Sequence, residues 1–156
     1  MSFKVMLQLC TAAMIFIFAT VAAWYEGSQI REVSWEWKYT TIFSELINGP
    51  VKQPSDILPI DHFVYAAKFA PTFPLLMFLS GTYILILQGF LVFRHNKEKF
   101  SYFLSTIGVL FLGLSSFLSN SPTTGLKIFF NSFLIMGILI IGVVLFRLTR
   151  MKTKEI

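Results

Sequence analysis

The chain has 156 residues, enough for one compact unit. It is 55% hydrophobic and only 13% charged, whereas a soluble domain carries about 25% charged residues. A water-soluble fold of this length could not bury so much apolar surface, so lipid is expected to surround much of the chain. The net charge is +5, and the basic residues lie beside apolar segments rather than on one basic face, so no nucleic-acid partner is expected. The single cysteine rules out an internal disulfide.

The first predicted span covers residues 5–24, which carry no charge. Its length matches the about 20 residues needed to cross the hydrocarbon core. Trp24 and Tyr25 end it as a pair of interfacial aromatic residues. A cleaved signal peptide is the alternative, with residues 21–23 as the small-residue site. The single Lys4 and the long apolar run favour an uncleaved helix.

An outer loop is predicted for residues 25–71, a polar segment that holds six of the eight acidic residues. Its middle, residues 34–48, fits two periods. Alternation from Val33 to Phe43 would suit a strand, whereas the spacing of Trp35, Tyr39, Ile42 and Leu46 places them on one helical face. The helix is favoured, lying at the membrane surface or capping the bundle.

A further helix is expected after the acidic loop, with Asp61 as its N-cap and His62 as its first residue. Pro71 and Pro74 should kink that helix or break and restart it. Three more spans follow, predicted at residues 74–93, 100–118 and 128–146. The fold class is therefore an all-α membrane protein, a single membrane domain over residues 1–156. The predicted architecture is a four-transmembrane-helix bundle with an ordered loop between helices 1 and 2.

The distribution of Lys and Arg predicts the orientation. The N-terminus, the loop at residues 94–99 and the C-terminal tail share one side and carry a dense group of basic residues: Lys4, Arg94, Lys97, Lys99, Arg147, Arg150, Lys152 and Lys154. The positive-inside bias makes that side cytoplasmic. A cell-membrane location is expected, with both termini in the cytoplasm and the 25–71 loop outside.

The predicted spans 74–93, 100–118 and 128–146 contain no Asp, Glu, Lys, Arg or His between their flanks, which argues against a proton or ion pathway. Their hydroxyls and amides suit hydrogen bonds between helices, and small residues could also mediate homo-oligomerisation. His62 and His95 would lie on opposite sides of the membrane and could not share a metal ion. No catalytic set, metal site or cofactor is predicted.

Side chains suited to specific binding are most concentrated in an aromatic and acidic cluster that follows the first span. Two interpretations stay open: a binding site for a ligand or partner on the outer face, or an aromatic belt with solvated acids. The candidate binding residues are Trp24, Tyr25, Glu26, Glu32, Trp35, Glu36 and Trp37.

The runs Ala23-Trp24-Tyr25-Glu26-Gly27-Ser28 and Trp35-Glu36-Trp37-Lys38-Tyr39 resemble a family of small, uncharacterised integral membrane proteins of Gram-positive bacteria. The resemblance covers roughly residues 15–90. It implies a bacterial cell membrane and brings no known activity.

The expected function is non-enzymatic: the protein binds a membrane or cell-envelope partner, or senses, through its outer loop. The alternative is an oligomeric small-solute channel or transporter subunit. A third interpretation, an enzyme acting on lipid or cell-wall substrates, would use residues of the outer loop: Glu26, Glu32, Glu36, Asp61 or His62.

Overall fold

The computed structural model of the protein describes residues 2–152, and Lys154 of the basic tail lies outside them. Across the described residues the regular structure is helical, without a strand. The α-helices are α1 (Phe3–Gly27), α2 (Trp37–Thr40), α3 (Ile42–Asn48), α4 (Pro59–Phe69), α5 (Thr72–Val92), α6 (Lys97–Leu118) and α7 (Thr124–Lys152). Three short 3-10 helices cover Ser28–Glu32, Ser34–Glu36 and Pro54–Asp56.

Four of these helices, α1, α5, α6 and α7, are long and apolar enough to cross a membrane. This number agrees with the expectation of an all-helical chain with four apolar segments. Asn96, inside the predicted basic loop, begins α6 by accepting the backbone N–H of Lys99 at 2.9 Å. The loop therefore also carries the helix-starting signal of the next apolar segment.

The connecting segment, residues 28–71, joins α1 to α5 through short helices. The helical interpretation of its middle is confirmed, since α2 and α3 follow each other with a break at Thr41. Gly49 then ends α3 with a φ of 80°, a conformation that side chains other than that of glycine rarely adopt.

The predicted start of α4 is wrong. The helix begins at Pro59, with Leu58 as the N-cap, so Asp61 lies inside the first turn. Proline suits the first helical position because its missing N–H would have no partner there. The helix ends at Phe69 and α5 starts at Thr72, so the chain breaks and restarts around Pro71.

The chain divides into two compact units. One contains the residues up to Gly81 with Thr123–Gly125, and the other contains Thr82–Pro122 with the residues from Leu126 onward. In the second unit α6 and α7 supply an apolar core of Phe100, Leu104, Ile107, Ile140 and Val144.

The first unit is built on the packing of α4 against α1. Ala19 and Ala23 of α1 and Ala66 of α4 are fully buried. Small side chains allow two helix backbones to approach closely, and van der Waals packing then holds the helices together.

Candidate functional site

A buried ion pair fixes the first half of the connecting segment on α4. The Lys68 ammonium lies 3.1 Å from Glu36 Oε1, and the two side chains are 11% and 7% exposed. Lys68 Nζ also donates to the Tyr39 carbonyl and to Thr40 Oγ1, both at 2.7 Å. Thr40 Oγ1 donates in turn to Glu36 Oε1 at 2.7 Å. The ammonium thus has an acceptor for each of its three protons, which an almost buried charge requires.

A second buried carboxylate, that of Asp61, caps α3 from the neighbouring helix. It accepts the backbone N–H groups of Phe43 at 3.1 Å and of Ser44 at 2.8 Å, and it also accepts the Ser44 hydroxyl. Ser44 Oγ accepts the Leu58 N–H at 2.8 Å. Unpaired N–H groups at a helix start favour a negative charge, so Asp61 does for α3 what a local N-cap does elsewhere.

Trp37 supplies a third connection, between α2 and the turn that follows α1. Its indole N–H donates to the Ile30 carbonyl at 2.7 Å, and Ile30 is fully buried. The connecting segment is thus held by side-chain bonds along its length and is not an open loop.

His62 lies at the closest approach between α1 and α4. A side chain on Gly27 would collide with the His62 backbone carbonyl. The imidazole is fully buried 5.7 Å from the ring of Trp24, and neither ring nitrogen has a hydrogen-bond partner among the described residues. Burial lowers the pKa of His62 below its ordinary value, the positive Arg31 adds to this effect, and the negative Asp61 opposes it.

The structure divides the predicted aromatic and acidic cluster into an internal and an external part. Glu36 is buried in the ion pair, and Trp37 is partly buried with its N–H engaged. Glu26 is partly buried, and its Oε2 has no hydrogen-bond partner among the described residues. The remaining members are exposed: Trp24, Tyr25, Glu32 and Trp35.

Sequence reasoning missed the polar interior that positions these residues. Glu36, Thr40 and Ser44 recur every four residues and are buried. The helical face of Tyr39 and Leu46, which the same periodicity identified, is 60% and 80% exposed. A water-soluble fold would bury the apolar face and expose the polar one, so this inverted arrangement is the main peculiarity of the segment.

Two of the four acids of the enzyme interpretation are engaged in structural bonds. Glu36 holds Lys68, and Asp61 holds the start of α3. Across the described residues no group of three or more His, Cys, Asp and Glu side chains is placed to hold a metal ion. The arrangement can present a rigid surface, and neither of these two buried carboxylates is free to act as an acid or base.

Hydroxyl groups in the long helices form local hydrogen bonds. Thr20 donates to the Phe16 carbonyl at 2.7 Å, and Ser101 donates to the Lys97 carbonyl at 3.0 Å. Ser115 donates to the Leu112 carbonyl at 2.9 Å. Each of these bonds stays within one helix, so they give the channel alternative no specific support.

Comparison with known proteins places the connecting segment inside a recognised region. Residues 6–93 match a family described as a domain of unknown function, DUF4306. The chain is also 34% identical over 96 residues to the uncharacterized protein YjdJ of Bacillus subtilis strain 168, covering 59% of this chain and 88% of that protein. No solved structure matches the chain. The family region contains most of α1, the connecting segment and α5, and it stops before α6.

Proposed function

The chain belongs to the DUF4306 family of unknown function, and from that premise we propose that it is a non-enzymatic component of the bacterial cell membrane that binds a cell-envelope protein through its connecting segment. The four long helices cross the bilayer with both termini in the cytoplasm. The connecting segment then lies on the outer side.

One observation carries the proposal: the connecting segment is folded and locked, yet it leaves aromatic side chains uncovered. Three independent links hold it, centred on Lys68, Asp61 and Trp37. Next to these links, Tyr25 at the end of α1 and Trp35 in the connecting segment are 73% and 70% exposed. A preorganised surface loses little conformational entropy on binding, and aromatic residues are the side chains that most often contribute strongly to binding energy.

The charge pattern supports the membrane orientation. The basic residues flanking α1, α6 and α7 are dense around the termini and the loop at residues 94–99, whereas the connecting segment carries most of the acids. Basic flanks are retained in the cytoplasm during insertion. The presence of YjdJ in Bacillus subtilis agrees with a bacterial membrane.

In-cell photocrosslinking tests the proposal. A benzophenone side chain at position 25 or 32 should capture the same protein in intact cells, because both positions are exposed at the end of α1 and in the turn after it. The matched control is position 55, which is exposed in the connecting segment but lies outside the predicted cluster.

The specificity of capture decides the outcome. The adduct should disappear when Glu32→Lys is added to the position-25 variant, because the charge at the surface is reversed there. Equal capture at positions 25, 32 and 55, or no adduct at 25 and 32, would refute the partner-binding proposal.

A further inference from the structure

We infer that the apolar face of α2 and α3, formed by Tyr39, Ile42, Phe43, Leu46 and Ile47, is a lipid-binding surface seated at the boundary between acyl chains and headgroups. The inference rests on the membrane placement in the proposed function. It names the bilayer as the occupant of a surface distinct from Tyr25 and Glu32.

The depth of the connecting segment follows from how α4 descends along α1. His62 of α4 lies against Gly27 and Trp24, and Phe73, in the first turn of α5, has its ring 5.8 Å from that of Phe18. Residue numbers therefore fall on α1 as they rise from α4 into the start of α5. The stretch of α1 from Phe18 to Gly27, nine residues, is about 14 Å long. Since α1 carries no charge from residue 5 to residue 24, most of α4 lies beside the apolar part of α1.

α2 and α3 are attached to α4 at both of its ends, so they lie at the same depth. Lys68, near the end of α4, holds Glu36 and Thr40. Asp61, near its start, holds the first turn of α3 through Ser44. These bonds bring the helix pair alongside α4, level with the last apolar turns of α1.

The polarity of the segment matches that location. The side chains of Glu36, Thr40 and Ser44 are turned toward α4 and bonded to it, as polar groups must be where water is scarce. The charged side chains of Lys38 and Glu45 are exposed. On the opposite face Leu46 is 80%, Ile47 66% and Ile42 59% exposed. An exposed apolar helix face at this depth is buried among acyl chains.

A cation at the edge of the face agrees with a lipid surface. Lys38 is exposed, and its ammonium lies 5.8 Å from the centre of the Tyr39 ring. Tyrosine and lysine together are typical of the bilayer interface, where the aliphatic stem of lysine stays apolar and its charge reaches the phosphates.

Spin-label accessibility in vesicles tests the inference. Cys10 is replaced by serine, and a nitroxide is attached to Leu46→Cys, to Ile42→Cys or, as the control, to Ser55→Cys. All three positions are exposed, so no packing is lost. The proteins are reconstituted in phosphatidylethanolamine and phosphatidylglycerol vesicles. Collisions with oxygen, which concentrates in lipid, are compared with collisions with a water-soluble nickel chelate.

Labels at 42 and 46 should show an oxygen-to-nickel collision ratio several-fold above that at 55. An oxygen-to-nickel collision ratio at position 46 equal to that at position 55 would show that position 46 is in contact with water, and it would overturn the inference. Exclusion of both reagents at 42 and 46 would mean a protein contact, either a second copy or a partner, and would also overturn it. Crosslinking at positions 25 and 32 is read separately, so lipid contact at 46 with no adduct would leave this inference standing while the partner proposal fails.

Discussion

Removing the charge of Lys68 by Lys68→Met is the most informative perturbation of the connecting segment. Methionine keeps a long unbranched stem, so packing changes little. Glu36 would keep only the Thr40 hydroxyl, and the Tyr39 carbonyl would lose its 2.7 Å donor. Breaking a buried pair by removing one partner costs about 3–5 kcal/mol because the other charge stays unpaired.

The complementary change, Glu36→Gln, should cost less. The ammonium of Lys68 would keep two acceptors, the Tyr39 carbonyl and Thr40 Oγ1. The loss is then that of one charge-assisted hydrogen bond, about 1.5–3 kcal/mol. The double variant should cost less than the sum of the two, with a coupling energy of about 0.5–3 kcal/mol.

Thermal unfolding in detergent, followed by tryptophan fluorescence, measures these differences. The three tryptophans lie between residues 24 and 37, so their emission reports on this segment. For a chain of this size Lys68→Met should lower Tm by about 6–20 °C, at about 2–4 °C per kcal/mol. Lys38→Met, the same change at an exposed lysine, should stay within about 0.5 kcal/mol of the wild type. Equal, small effects of Lys68→Met and Lys38→Met would show that the Glu36–Lys68 pair is solvated and would refute this reasoning.

Three further predictions concern the same unit and use the same unfolding assay. Gly27→Ala should lower Tm clearly, because its side chain would collide with the His62 carbonyl. Gly113→Ala, with no atom near its added carbon, should be neutral or stabilising by up to about 1 kcal/mol; equal effects would contradict the close approach. Asp61→Asn should lower the free energy of unfolding by about 1–3 kcal/mol, because an amide offers one accepting oxygen to donors that now bind two carboxylate oxygens. A neutral result would contradict the capping role. The pKa of His62 is lowered in the folded state, so the unfolded state binds more protons. The free energy of unfolding should therefore be at its full value above about pH 6.5 and should fall as the pH drops below that value. The slope is at most about 1.4 kcal/mol per pH unit. His62→Phe should flatten this dependence, and an unchanged slope would contradict the assignment.

Local sequence signals were enough to identify the long helices. An uncharged run such as residues 5–24 has only one stable arrangement in lipid, a helix that satisfies its own backbone. The spacing of Trp35, Tyr39, Ile42 and Leu46 likewise identified a helical face in the connecting segment. The break around Pro71 follows from the missing N–H and the steric demands of proline.

The polar interior could not be predicted because its partners are distant in sequence. Glu36 and Lys68 are 32 residues apart, and no local sequence pattern indicates that their side chains form an ion pair. The local sequence favours Asp61 as the cap of its own helix, whereas in the structure it caps α3 across 17 residues. Pro59 was the available signal for the true helix start, since proline favours the first helical position.

The membrane placement is tested most directly by thiol labelling in intact cells. In a Cys10→Ser background, one variant carries Ser55→Cys in the connecting segment and another carries a cysteine added after Ile156. A membrane-impermeant maleimide should label the cysteine at position 55 in intact cells and should reach the C-terminal cysteine only after the cells are lysed. Labelling of the C-terminal cysteine in intact cells, with position 55 protected until lysis, would contradict the orientation on which the proposed function rests.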